Sequence, residues 1–480
     1  MYKIKFLLPL ISIAYIIIYM LQNPGDFSPV LFDIGAFIII CAICVFFTDG
    51  EHSLLKGYWL KPSNLFLFGY LVVNFQYILD YRLGIKTDLS IYILNSQILN
   101  ICFVLGIVGL LAFVIGYTYK KGNTQDLTTA EIVTSRYRVP KFFILLQVVL
   151  FILFITSINV RDFLSGSVFA DKTGRTSYEG LLNICNILVV AAVSLSYSNN
   201  AKLKDYLLCY PKVSLIIIIV YMILRMFSGD RGPFIYTALV LLYGYLYSTR
   251  KKWSLFFVVG TLTLASLFVI LIGIARLSDL NASFFQRIQD AMIVYNTGGK
   301  FSNIGESSVF GLTEELGFSF IVNQVDVQAI AVNNESFHFG TYQIISLLNS
   351  IPFMPSFLAN TMNIATVDLS SSGFANYHYF GGAEHTWSIG TTCLGDFYLD
   401  FGVFGVFFGF LIVGLFFRYL DEVLFVKPKD NISLFILFVI LFFASQSIYI
   451  PRSVFLLNLQ KVLLGGIVIF IYNKVLNVKR

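Results

Sequence analysis

Apolar residues come in blocks of about twenty along this chain, separated by short polar segments, over nearly its whole length. About 20 residues of helix cross the hydrocarbon core of a bilayer. On that measure the pattern predicts twelve spanning helices, near residues 4–22, 30–47, 63–80, 97–118, 141–158, 181–197, 213–228, 233–248, 253–274, 396–417, 432–449 and 453–473. The spans at 63–80 and 97–118 stand apart because Asn and Gln interrupt them. The first span has a signal-like flank but no small-residue cleavage site after it, so it reads as a retained anchor.

Lys and Arg in the connecting segments orient the bundle, since cytoplasmic loops collect them. Lys3 and Lys5, Lys56 and Lys61, Lys120 to Lys141, Lys202 to Lys212, Arg250 to Lys252, Arg418 to Lys429 and Lys479-Arg480 all fall on one side. Both termini are therefore expected in the cytoplasm. The turn from Arg225 to Pro233 and one long loop then face outward. This divides the chain into residues 1–274 with nine spans, an extracytoplasmic loop at 275–395, and residues 396–480 with the last three spans. The fold class is an all-α, polytopic membrane bundle of about twelve helices. In the loop, Leu316–Ile330 and Tyr342–Leu348 are apolar but too short to span, which suggests helices lying over the bundle, with Pro352 and Pro355 breaking the second.

Composition agrees: 57% of residues are hydrophobic and 12% charged, half the charge of a soluble domain. The assigned topology also reveals an asymmetry that the net charge of +6 conceals. The cytoplasmic segments hold 16 Lys and 5 Arg, the outer ones 8 Arg and 4 Lys. Topology requires only charge, whereas arginine adds a rigid fork of donors that matches phosphate or carboxylate oxygens. Arg225 and Arg231, with Asp230 between them, are the sharpest instance, because ionisable groups at membrane depth mark sites by default.

No nucleotide-binding loop, dinucleotide fingerprint or HExxH helix occurs, and the cytoplasmic loops are too short for a nucleotide-binding domain. Cys41 and Cys44 have CxxC spacing but lie in an apolar run, where cysteine acts as a small hydrophobe. Neither a metal nor a cofactor is expected, and nothing points to nucleic acid. Charges cluster at the outer ends of spans and not along a central path, Lys461 being an exception in the last span. In the long loop, Glu384-His385 adjoins Gly381 and Gly382, which permit close approach, and precedes Trp387. His385 is the first candidate base, with Glu384 and Glu315 next.

The segment Ser228-Gly229-Asp230-Arg231-Gly232, the pair Glu314-Glu315, Phe339-Gly340-Thr341-Tyr342 leading to Ile351-Pro352, and Gly395-Asp396-Phe397-Tyr398-Leu399-Asp400-Phe401-Gly402 form a pattern spread over roughly residues 220–420. It resembles the polysaccharide repeat-unit polymerases, the O-antigen polymerase or Wzy family. Arg287 and Gly298, with ten residues between them, echo an outer-loop pattern of some members, and Asp396 stands where Glu is common. The resemblance implies a GT-C-like glycosyltransferase architecture in the inner (cytoplasmic) membrane. It implies transfer of a growing glycan from one undecaprenyl diphosphate carrier to the repeat unit on another, making O-antigen, capsule or exopolysaccharide. A chain-length regulator and a flippase are implied partners besides the bilayer. In that setting Arg225, Arg231, Arg276, Arg287 and Arg452 would hold the departing diphosphate, Asp230 would orient Arg231, and Trp387, Tyr342 and Tyr398 would be sugar platforms. An O-antigen ligase and a lipid-linked oligosaccharide flippase are the alternatives.

Overall fold

The computed structural model describes residues 2–22, 26–49, 55–84, 96–119, 139–159, 177–196, 202–228, 231–261, 319–351, 354–362, 370–382, 388–427 and 432–476, with single positions at 263, 286 and 289. Every regular element among them is helical. The helices are α1 (Tyr2–Gln22), α2 (Pro29–Asp49), α3 (Pro62–Arg82), α4 (Ser96–Thr118), α5 (Lys141–Ser157), α6 (Ser177–Ser196), α7 (Leu203–Leu208), α8 (Lys212–Phe227) and α9 (Arg231–Thr249). There follow α10 (Phe320–Val327), α11 (Thr341–Asn349), α12 (Met354–Met362), α13 (Ser371–Phe380), α14 (Cys393–Phe425), α15 (Leu434–Gln446) and α16 (Leu459–Ile471). Residues 255–261 are helical at the start of the ninth expected span.

The apolar blocks become helices because a helix satisfies its own backbone groups where no water is available. Local signals set their ends: Pro62 opens α3, the Thr392 hydroxyl accepts from Gly395 N (2.9 Å) at the start of α14, and Ser433 accepts from Ile436 N (3.2 Å) at the start of α15. Among the described residues, five helices are long and apolar enough to cross a membrane: Pro29–Thr48, Gln97–Thr118, Tyr178–Ser196, Cys393–Phe425 and Leu456–Lys474.

The centre of the bundle is the α4–α14 pair. Glycines let their backbones touch: a Cβ at Gly116 would collide with the Leu411 carbonyl, and one at Gly414 with that of Phe113. Close approach through small residues is how helices gain contact where lipid gives no hydrophobic drive. Gly414→Ala is therefore expected to destabilise the protein by about 1–3 kcal/mol, as overpacking does, read as a lower unfolding temperature in detergent. A polar knot ties the pair to α3 at the other end: Asp421 accepts from Ser63 Oγ (2.5 Å) and Tyr117 Oη (2.8 Å).

The structure corrects the expected loop in one respect. The α10 helix does not lie over the bundle; all eight of its residues are buried, packed among α3, α4, α13 and α14. Asn323 needs polar partners, and it finds Asn74 and Thr392 inside the bundle rather than at its surface. The other expected short helix is present as α11, which ends at Asn349 ahead of the prolines, and Pro355 sits in the first turn of α12, where a missing N–H costs nothing.

The span expected from 396 begins earlier and is broken. The 33-residue α14 would be about 50 Å long if straight, but Phe401 and Gly402 leave helical geometry, Gly402 at φ 60° and ψ −141°. The break frees carbonyls that the segment leading into α11 uses. His338 N donates to Leu399 O (3.0 Å) and Phe339 N to Asp400 O (2.9 Å).

Candidate functional site

A cluster of carboxylates forms where the stub of α14 before the break meets α10, α11 and α13. This end of the bundle also holds the start of α4 and the second half of α3, and is the end that the charge pattern assigns to the outside. Asp326 of α10 and Asp396 and Asp400 of α14 are all fully buried. Asp326 and Asp396 are close enough to repel each other, as are Asp396 and Asp400.

Each acid is held differently. Asp400 accepts from Tyr342 N (3.1 Å) and Gln343 N (2.9 Å), so it caps the first turn of α11 from a neighbouring helix. Gln343 Nε2 donates to Asp396 Oδ2 (2.6 Å), and the Ser371 hydroxyl also interacts with Asp396. Asp326 differs from both: neither of its oxygens has a hydrogen-bond partner among the described residues. Its space is reserved by Gly395, where a Cβ would collide with the carboxylate. The neighbouring amide network is complete, with Asn323 Nδ2 donating to Asn74 Oδ1 (3.0 Å) and Thr392 Oγ1 donating to Asn323 Oδ1. The role of Asp400 is thus to anchor α11. Asp400→Asn, which keeps one acceptor and loses the charge facing a helix N-terminus, should cost about 1 kcal/mol of stability, and protease cleavage within residues 341–349 should accelerate.

Aromatic rings and two histidines cover the cluster. The His338 ring lies 4.7 Å from Tyr342 and 5.2 Å from Phe374, and Phe374 is 4.4 Å from His378. His378 Nε2 pairs with Glu335 Oε1 at 3.3 Å. Burial pushes His338 below the ordinary histidine range, with Asp400 and Glu335 pulling the other way, and its Nε2 is buried without a partner among the described residues.

The site residues expected from sequence are placed unevenly. Tyr342 and Tyr398 are brought to this cluster, but both are buried, Tyr342 in the ring group and Tyr398 against Phe337 (5.9 Å). Arg225 lies elsewhere. It is 1% exposed, ion-paired with Glu179 and 5.8 Å from the Phe154 ring, and Tyr221 Oη donates to Glu179 (2.8 Å). Its charge is therefore met inside the protein by an acid in the first turn of α6. Arg231 opens α9, and Arg452 is half-buried in a short turn (Ile450–Arg452) packed on α3. Asp230, Arg276, Arg287, Glu315, Glu384, His385 and Trp387 lie outside the described residues. The described flanks of 383–387 are both bonded to α13: Gly382 N to Tyr377 O (2.9 Å), and Ser388 Oγ to Asn376 (3.1 Å).

Sequence reasoning passed over Asp326 and its amide neighbours. The available signal was Asn323-Gln324-Val325-Asp326 set between apolar residues, an acid in a stretch apolar enough to be buried.

The helices and the buried ionisable cluster at one end define a multi-pass membrane protein with a group of acids packed inside its bundle. The chain matches the family of O-antigen polysaccharide polymerase Wzy over residues 2–480. It belongs to that family, and so is a repeat-unit polymerase acting on lipid-linked oligosaccharides in the membrane. A match of that extent does not favour the ligase or the flippase. No curated protein and no solved structure matches the chain.

Proposed function

We propose that the chain joins undecaprenyl-diphosphate-linked repeat units on the outer face of the cytoplasmic membrane, and that Asp326, beside Asp396, takes the proton of the acceptor hydroxyl. Its helices form twelve spans in a GT-C-like arrangement with both termini inside. The observation that carries the assignment is the Asp326 carboxylate, buried and without a partner among the described residues. An acid kept so at a cost of several kcal/mol marks a site.

In the reaction the acceptor oxygen bonds to the anomeric carbon of the donor glycan while the bond from that carbon to the carrier diphosphate breaks. The hydroxyl proton passes to the carboxylate, and the electron pair leaves with the diphosphate. Arg231, Arg276, Arg287 and Arg452 supply cations for that growing charge. Arg225 serves the fold instead.

A second reading rests on the flanks of 383–387, which meet α13 beside the cluster. There His385 is the base, Glu384 and Glu315 support it, and Trp387 is the sugar platform.

Purified protein supplied with synthetic lipid-linked repeat units is expected to make a polymer ladder without other proteins; only single additions to a different acceptor would indicate a ligase. Arg231→Lys should impair the ladder nearly as much as Arg231→Ala, since lysine cannot grip two phosphate oxygens as a fork does. Full activity in the lysine variant would remove the bidentate role. His385→Ala separates the two readings, because only the second predicts loss of the ladder.

A further inference from the structure

A polar cavity opens in the same half of the bundle, away from the carboxylates. It lies among α6, α9, α15 and α16 and is lined by Asn183, Asn186, Tyr236, Thr237, Gln446 and Lys461, with apolar side chains between them. Asn183 and Asn186 are six and nine residues into α6, roughly 9–14 Å below its first residue. In the proposed topology α6 starts at the outer headgroups, which puts the floor inside the membrane and the rim at the headgroups.

Two features point to a ligand. Asn186 is 2% exposed; its Oδ1 accepts from Gln147 Nε2 (2.7 Å), while its Nδ2 and Gln147 Oε1 have no partners among the described residues. Two adjacent buried amides thus keep a donor and an acceptor in reserve, which is costly unless something polar arrives. Lys461 is exposed at the mouth, one helical turn from Leu457, itself 45% exposed on the bundle surface. The ammonium is 5.8 Å from the Phe442 ring centroid. The mouth thus opens sideways, between an apolar surface suited to acyl chains and a cation suited to phosphate.

We propose that this cavity receives a lipid-anchored glycosyl phosphate from the bilayer, Lys461 holding the phosphate and Asn183 and Asn186 the hydroxyls of the sugar attached to it. The inference rests on the polymerase reading and gives it a second station, since a polymerase must hold two lipid-linked molecules at once. Carboxamides both give and accept hydrogen bonds, as sugar hydroxyls require. Among the described residues no carboxylate lines the cavity to repel the anion.

The test uses the full chain in phosphatidylcholine nanodiscs, with farnesyl diphosphate and the lipid-linked repeat unit extracted from a strain lacking this polymerase as probes. Lys461→Met, a change at an exposed position, is expected to weaken both probes by roughly tenfold or more, as loss of a charge-assisted contact does. Asn183→Leu, at a half-buried position that leaves the Gln147–Asn186 pair intact, should weaken the repeat-unit probe alone. Parental affinity for both probes in both variants overturns the proposal. So does equal displacement by phosphatidylglycerol, which would make the cavity an ordinary phospholipid pocket. The ladder assay on the parent decides the other question: binding that follows the variants without any ladder removes the polymerase reading and leaves the cavity assignment standing.

Discussion

Asp326→Asn should yield a protein as heat-stable as the parent or more so, with polymer formation lowered by about 10²–10⁴-fold, the usual worth of a general base. The two effects separate function from structure. A carboxylate with a structural role has donors to satisfy, and its amide would weaken them; Asp326 has no such donors among the described residues. Asparagine keeps the volume that Gly395 makes room for and removes the cost of ionising a buried acid beside Asp396. Stability gained at the expense of activity is the general pattern where a site stores an unfavourable group. The measurements are an unfolding temperature in detergent and the ladder from lipid-linked repeat units. A full ladder from Asp326→Asn would refute the assignment and leave His385 as the base.

Arg225→Met is expected to fail in the opposite way. Removing one member of a buried ion pair leaves Glu179 uncompensated and costs about 3–5 kcal/mol, enough to deplete the folded protein. Arg225→Met combined with Glu179→Gln should recover most of that loss, because both charges leave together and the new side-chain amide can still accept from Tyr221. Polymer made per folded molecule should stay near parental in the double variant. An arginine gripping diphosphate would give the reverse: normal protein levels, no ladder, and no rescue by changing Glu179.

The two variants also mark how far the amino-acid pattern could be read. Helix positions were legible because backbone groups in lipid have so few options, and α3, α5, α8 and α9 start and stop within about two residues of the apolar blocks. The turn around Arg225 was legible as unusual, but its purpose was not. Its partner Glu179 lies 46 positions earlier on another helix, and charge pairing between helices leaves no trace in local sequence. Asp326 was hidden for a related reason. An eight-residue helix is too short to register as a span, and what makes its acid singular is that no described residue donates to it, which only packing reveals. The break at Phe401–Gly402 was equally silent, since a glycine there also fits the close-packing role that Gly414 has in the same helix.

The hydrogen bond between Asn323 and Asn74 sets a schedule for biosynthesis. The two residues are 249 positions apart. At ribosomal rates of about 5–20 residues per second, Asn74 enters the membrane roughly 12–50 s before its partner is made. Asp421 completes the knot with Ser63 later still, across 358 positions. The early helices must therefore wait as a loose assembly with unsatisfied amides and hydroxyls, and α14 acts as a closing bolt. A chain truncated before residue 393 would lack it and should be degraded, even with its first nine hydrophobic segments intact.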